Sequence, residues 1–587
     1  MTDKTRNRDK FTIIDELARR RGFFWQSYEI YGGASGFVTY GSLGAKLKQN
    51  IEKKLRELFV NKLGIFEIES PIIAPSKVFE ASGHVENFKE LMAGCLKCKR
   101  QFRADQLLRD CAEISESEAE KLGPKEVKKA IEKHEIRCPE CGGTLGEPQY
   151  FLIMFKTTIG PYSAAVGYGR PEAAQGIFVE FRHLYEMARE KLPFGVIQIG
   201  HAQRNEISPR QGLIRWREFT IMDLEFFFDP EEPSCYLLKD LENETLSLVL
   251  AESKLRGSEE IIEVTVKEAL KKGYIKAEWQ AVFMALAKKL LVDLGVPAEK
   301  QRFIEKLPWE KAHYALQSFD QEIKVDRWGW FEVSGHAYRT DYDLKRHMQF
   351  SGVDMCVFKE HEKPVEKEKT AVKPLMAKLG PVFKEEAAKV AEMLLEADPE
   401  KIEASIKNDG YYRLGKHKVL PEYVEITRQK VTERGRRFIP YVVEPSFGSD
   451  RLVHVALEYA YRVKDDRAIL SFPRDIAPIQ VGVYPLVSKD GIPEKTLQIH
   501  KMLLDEGFIA EYDEAGSIGR RYARADEIGV PLGITVDYET LKDNTVTIRD
   551  RDSWKQVRSR VEELPQLLHK YFRWKADFKD LGKPFES

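Results

Sequence analysis

Chemical potential in this sequence is concentrated in one string, Arg204-Asn205-Glu206-Ile207-Ser208-Pro209-Arg210-Gln211-Gly212-Leu213-Ile214-Arg215, followed at once by Arg217-Glu218-Phe219-Thr220. On a strand, residues two apart share a face. That groups Arg204 with Glu206 and, on a partner strand, Phe219 with Asp223 and Glu225. Arginines can grip a triphosphate, Phe219 offers a plane for a purine, and Glu206 can accept from an exocyclic amine. The same spacing also suits a charged sheet face turned to solvent.

Cysteine spacing is the second signal. Cys95-x-x-Cys98 and Cys138-x-x-Cys141 have the spacing of two zinc knuckles, and four thiolates close a tetrahedral structural Zn²⁺ site. The segment from Lys99 to Arg137 is longer than the usual ribbon spacing, so a helical hairpin must fold out between the pairs. Reduced thiols without metal are the alternative. Cys111, Cys235 and Cys356 fall outside the pattern and read as plain thiols.

These groups need a scaffold. Leu43, Leu47, Ile51, Leu55, Leu58 and Leu63 recur at helical spacing and predict a long amphipathic helix stopped near Gly64, followed by a strand at Ile65 to Glu69 and Pro71. Apolar strands are expected at 195–204 and 217–228, joined by the turn-rich Ser208 to Gly212. Residues 328–350 read as strand-like, and a helix starts near Asp450. The tail alternates strands (Ile479 to Tyr484, Gly533 to Val536, Thr545 to Ile548) with helical stretches (Lys495 to Glu506, Trp554 to Leu568), which predicts an α/β domain with a partly parallel sheet. The chain thus divides into core segments 1–90, 151–230, 326–352 and 437–472. Between them lie a cysteine module at 91–150, a helical insertion at 231–325 and an insertion at 353–436, with a final domain at 473–587.

Composition bounds the class. A chain of 587 residues is too long for one core, and its net charge of -1 with 32% charged residues gives no global basic field, so any nucleic-acid contact must be local. No apolar run reaches the ~18 to 20 residues of a membrane span. The charged start Met1 to Lys10 lacks the apolar stretch of a signal peptide, so a cytoplasmic protein is expected.

The string from Arg204 to Thr220 resembles motif 2 of the class II aminoacyl-tRNA synthetases. Glu67 to Pro71 with its preceding helix resembles motif 1, the dimer-forming element, and Glu444-Pro445-Ser446-Phe447-Gly448-Ser449-Asp450-Arg451-Leu452 resembles motif 3. Three strings, Glu29-Ile30-Tyr31-Gly32-Gly33, Arg170 to Phe178 and Glu444-Pro445-Ser446, narrow the resemblance to glycyl-tRNA synthetases of the archaeal and eukaryotic type. Ser517 to Gly529 carries it into the final domain.

The resemblance implies an antiparallel-sheet catalytic core flanked by helices and a C-terminal α/β anticodon-binding domain. It implies glycine activation with ATP and Mg²⁺, transfer to tRNA(Gly), and a homodimer without membrane attachment. By position, Arg204 would grip the α-phosphate, Glu206 the adenine, Arg215 the distal phosphates, Phe219 the adenine face and Arg451 the γ-phosphate. Asn205, Trp216 and Val333 complete the ATP set, and Glu332 would help hold ATP and Mg²⁺. Glu172, Asp223, Glu444 and Ser446 match the ammonium-binding positions, and Arg339 the carboxylate-binding one. Ala173 and Asp223 depart from the usual threonine and glutamate. In the final domain Arg520, Arg521, Tyr522 and Arg524, with Arg549, Arg551 and Trp554 nearby, mix charge with aromatic planes as single-stranded RNA recognition requires. Two other readings use the same residues: a non-catalytic relative that binds nucleic acid, such as the accessory subunit of mitochondrial DNA polymerase, and a synthetase for a different amino acid.

Overall fold

The computed structural model describes residues 9–112, 114, 116–119, 121–161, 165–207 and 215–585. The Ser208 to Gly212 turn and most of the charged start lie outside these. A nine-stranded sheet is formed by β1 (Phe66–Glu67), β2 (Phe194–Gln203), β3 (Glu218–Phe228), β4 (Thr245–Val249), β5 (Ile262–Thr265), β6 (Gln301–Glu305), β7 (Gln317–Val325), β8 (Gly329–Thr340) and β9 (Tyr441–Gly448). Their order is β5-β4-β6-β7-β8-β9-β3-β2-β1. Only β1 with β2 and β4 with β6 run parallel.

Period-two alternation gives this sheet a dry face and a polar one. Along β3, Met222, Leu224, Phe226 and Phe228 enter the main core, whereas Phe219, Ile221 and Asp223 border a cavity. On β9, Val443 and Phe447 are core while Glu444 and Ser446 border the cavity. The dry face is covered by helices α1 (Ser42–Leu55), α2 (Glu278–Asp293) and α3 (Ser449–Ala460), which contribute Leu47, Ile51, Phe283, Leu452 and Val455. Trp279 of α2 is 1% exposed and packs on Phe226 with ring centroids 4.0 Å apart.

Several elements differ from the sequence expectation. The helix expected through Leu63 is α-helical to Leu55 and continues as a π-helical stretch over Arg56–Asn61. Residues 231–325 are not mainly helical: β4 to β7 lie there and extend the catalytic sheet. Strands of four or five residues, such as Thr245–Val249, carry too few alternations to stand out beside the long periodicity of α2. Residues Tyr342–Ser351 form a helix after β8, and Gln556–Arg560, expected to be helical, form a strand.

The cysteine pairs sit on a three-stranded sheet, Lys89–Gly94 between Gln101–Arg103 and Gln149–Leu152, packed with helices Ala104–Ala112 and Pro124–Lys133. The six-stranded sheet of the final domain pairs Val481–Pro485 in parallel with Ala510–Tyr512 and Leu532–Val536, then continues antiparallel. Residues 356–439 are a separate compact unit. Within it, a long ribbon of Val357–Pro374 and Val424–Phe438 and helices Met376–Phe383, Ala387–Glu396 and Pro399–Asp409 enclose Leu379, Val390, Leu394 and Ile402. Among the described residues no helix is long and apolar enough to cross a membrane.

Because Trp279 fills the joint between α2 and the sheet, Trp279→Ala is expected to cost about 3–5 kcal/mol. Chemical denaturation would show this as an earlier transition of the catalytic unit; an unchanged curve would contradict the packing.

Candidate active site

The polar face of the sheet opens on a cavity of ≈ 500 Å³. Glu172, Arg204, Glu206, Arg215, Trp216, Phe219, Asp223, Glu332, Val333, Glu444, Ser446 and Arg451 all border it, although the chain separates them widely. Strand register explains part of the convergence. Asp223 stands opposite Ser446, which stands opposite Gly335, and Glu444 stands opposite Ala337. An added Cβ at Gly335 would meet no atom within 4 Å, so its missing side chain is part of the open volume.

One end of the cavity is a cluster of tied carboxyls. Ser446 Oγ donates to Asp223 at 2.5 Å, and the backbone N–H groups of Ala173 and Ala174 donate to the other Asp223 oxygen at 2.6 and 3.1 Å. Gln175 donates to Glu172 and to Asp343, each at 3.0 Å, and His84 Nε2 lies 3.3 Å from Glu172. Burial pushes the Glu444 carboxyl up, Arg339 pulls it back, and the balance lies at about 7. Burial would also raise Glu172, but His84, Arg339 and Gln175 hold it below the usual range. Glu225, on β3 beneath the cluster, is raised well above that range by burial and then by Glu444. Neither of its oxygens has a hydrogen-bond partner among the described residues.

Arg339, the carboxylate-binding position implied by resemblance, lies behind the cavity wall. Its side chain is 0% exposed and does not border the cavity. Its donors go to Asp343 at 2.8 and 2.9 Å and to Glu444 at 2.8 Å, with Tyr314 stacked 3.6 Å from the guanidinium carbon. Three of its N–H groups go to carboxylates behind the cavity wall, which places it to hold Glu444.

The other end of the cavity is cationic and aromatic. The Arg204 guanidinium stands 5.3 Å from both the Phe219 and Phe88 rings, and its Nε donates to the Pro171 carbonyl at 3.1 Å. Arg451 stands over Phe331 at 5.6 Å and pairs with the Glu332 carboxylate at 3.1 Å. β2 ends at Gln203, so Arg204 and Glu206 occupy a turn rather than one strand face. Asn205 does not border the cavity; its backbone N–H donates to the Ile153 carbonyl at 2.8 Å.

Sequence reading missed several cavity residues: Glu90 and Arg103 on the hairpin that carries Cys95 and Cys98, Lys306 and Asp320 from the segment read as helical, and Asp450. Lys306 pairs with Asp320, whose carboxyl is pushed up to about 7 by burial and then by Glu332. Only Ile323-Lys324-Val325 alternates in this stretch, and the polar run Asp320-Gln321-Glu322 before it hides the strand. Asp450, in the first turn of α3, accepts from the Thr220 backbone and from Tyr40 Oη, both at 2.6 Å, and pairs with Lys48 of α1 at 3.1 Å.

Cys95, Cys98, Cys138 and Cys141 converge, with their sulfurs all within 4.8 Å of one another. Cys95–Cys141 and Cys98–Cys138 are each 3.6 Å apart. A Zn–S bond of about 2.3 Å in a tetrahedron requires sulfurs about 3.8 Å apart, so the donor set fits zinc.

In the final domain most of the expected RNA-facing residues turn inward. Arg521 donates to the backbone carbonyls of Pro485, Glu514 and Gly516. Arg524 pairs with Asp513, and Tyr522 bonds Thr535 beneath Arg549. Arg549 is paired with Asp526 at 2.9 and 3.0 Å, and Arg551 bonds the Gly529 and Phe472 carbonyls. Only Arg520 of the expected quartet is exposed. A one-turn helix spacing cannot distinguish an arginine that binds RNA from one that fastens the preceding loop.

Residues 480–571 match a family model described as an anticodon binding domain. The chain is 46% identical to a glycine–tRNA ligase of Aeropyrum pernix, over 98% of this chain and 99% of that protein. Identity to those of Pyrococcus horikoshii and Methanocaldococcus jannaschii is 46% and 45%, over 95% and 96% of this chain and 98% and 99% of theirs. Among solved structures, it is similar to Giardia lamblia prolyl-tRNA synthetase in complex with prolyl-adenylate (TM-score 0.52, 14% identity, 95% of this chain and 75% of that one). It is also similar to Cryptosporidium parvum prolyl-tRNA synthetase complexed with L-proline and AMP (TM-score 0.50, 12% identity, 97% and 78%). Those two report a shared fold, whereas the archaeal relatives match nearly end to end: the chain belongs to the glycine–tRNA ligase family of class II aminoacyl-tRNA synthetases, which activate glycine with ATP and join it to tRNA.

Proposed function

We propose that the single cavity over β3, β8 and β9 carries both steps of glycine–tRNA ligation, with the amino acid at its carboxyl end and ATP at its arginine end. The observation that supports this most is the convergence of Glu172, Arg204, Phe219, Glu332, Glu444 and Arg451 on one enclosure. Glu172, Asp223, Glu444 and Ser446 receive the glycine ammonium, and Arg339 positions Glu444 from behind. A tied carboxyl ring leaves no room for a side chain on the substrate, so size excludes larger amino acids.

Arg204 meets the α-phosphate, Phe219 and Trp216 border the adenine with Glu206, and Arg215 and Arg451 take the distal phosphates. Asn205 and Val333 hold the surrounding backbone. The substrate carboxylate is already ionised and attacks the α-phosphorus in line, so alignment and charge neutralisation do the catalysis, without a protein base. Glu332, beside Asp320, would hold Mg²⁺, which supplies additional positive charge against the phosphate oxygens. The terminal ribose 3′-hydroxyl of tRNA(Gly) then attacks the glycyl-adenylate and releases AMP. The domain at 473–587 contacts the anticodon arm, with Arg520 among its exposed cations. The reading places the protein in the cytoplasm, as a homodimer formed through the motif 1 element, with structural Zn²⁺ on the four cysteines.

Glycine-dependent exchange of pyrophosphate into ATP tests the reading. Arg204→Ala and Arg451→Ala are each expected to lower kcat by about 100-fold or more; exchange driven equally by alanine or serine would overturn it. The Glu444 carboxyl must ionise to meet an ammonium, and it does so above about 7. The kcat/KM for glycine should therefore drop as pH is lowered through 7, by up to about tenfold per unit, and a flat profile from pH 5.5 to 7.5 would speak against Glu444. Sedimentation and metal analysis on one preparation should give two chains per particle and one zinc per chain. Cys98→Ser should remove the zinc; a metal-free monomer would refute both assignments.

A further inference from the structure

The cysteine module does more than pack beside the site. Its strands Lys89–Gly94 and Gln101–Arg103 form a hairpin whose turn holds Cys95 and Cys98, with Cys95 N–H donating to the Arg100 carbonyl at 2.8 Å. The opposite end of that hairpin carries Glu90 and Arg103 into the cavity wall, where Glu206 and Phe219 also lie. Arg103 pairs with Glu90 Oε1 at 2.6 Å and with Asp105 at 2.5 Å. The second Glu90 oxygen, Oε2, is buried and accepts no hydrogen bond among the described residues.

A buried carboxylate oxygen with no donor is costly unless a ligand supplies one. Adenine's exocyclic amine has two N–H groups, and Glu206 accounts for one. We propose that Glu90 Oε2 accepts the other, so that the cysteine-closed hairpin provides half of the recognition that separates ATP from 6-oxopurine nucleotides. Arg103 engages Oε1, which leaves Oε2 as the oxygen without a partner among the described residues. A 6-oxopurine would bring its carbonyl against two carboxylates and be repelled. This inference rests on the ATP site proposed above.

Two variants test it by ratios measured on the same protein sample, in which partial loss of folded enzyme cancels. In Glu90→Gln, Arg103 keeps the amide oxygen and turns the NH₂ toward the base. The kcat/KM preference for ATP over ITP in glycine-dependent exchange should then fall by about tenfold or more. In Glu90→Ala, the preference for ATP over purine riboside triphosphate, which lacks the 6-amino group, should shrink by about the same factor. Unchanged nucleotide ratios in both variants, with exchange intact in the wild type, would overturn the role of Glu90 alone. Absence of exchange in the wild type would overturn the ATP site and this inference together.

Discussion

The site depends on how one buried guanidinium is shared among carboxyls. Glu172, Asp223, Glu225, Asp343 and Glu444 crowd together where water is scarce, and like charges at such range are strongly repulsive in a poor dielectric. Arg339 answers Asp343 and Glu444 directly, from between the aromatic planes of Tyr314 and Phe178. The remaining groups are accommodated individually: Asp223 by two backbone N–H groups and Ser446, Glu172 by Gln175 and His84, and Glu225 by favouring its neutral form. Each of these ties fixes a wall, so the recess is shaped by side chains that cannot retreat.

The nucleotide half is built on another principle. Its arginines rest on aromatic faces and near single carboxylates, contacts weak enough to exchange for phosphate oxygens. Arg204 over Phe219 and Arg451 against Glu332 are therefore placed in advance but not consumed. Arg339 contrasts with them, because three of its N–H groups are tied to the buried carboxylates of Asp343 and Glu444.

The sequence disclosed the site better than the frame around it. Motif 2, motif 3 and the Arg170 to Phe178 string keep residue types at fixed spacing, and all but Asn205 and Arg339 of the expected ATP and glycine residues border the cavity. Short strands such as β4 and β6 left little periodic trace, so Lys306 at the end of β6 went unnoticed, and the polar run Asp320-Gln321-Glu322 masked the longer β7. Glu90 and Arg103 were hidden for a different reason: the cysteine spacing pointed to a metal, and nothing local indicates where the far end of a knuckle hairpin will lie. In the final domain Arg521, Arg524 and Arg549 have the composition of an RNA face, but composition does not disclose that they also fasten backbone carbonyls and carboxylates of their own fold.

Asp450 joins Tyr40, Lys48 and Thr220, partners 410, 402 and 230 residues earlier in the chain. A ribosome emits those earlier partners well before the aspartate emerges, at roughly 5–20 residues per second. For tens of seconds, then, the nascent chain carries α1 and β3 without the strand and helix that complete their sheet, exposing apolar surface that only long-range closure can hide. Biogenesis of this enzyme is accordingly a problem of delayed closure, because Val443, Phe447, Leu452 and Val455, which cover that apolar surface, are synthesised with Asp450 long after α1 and β3.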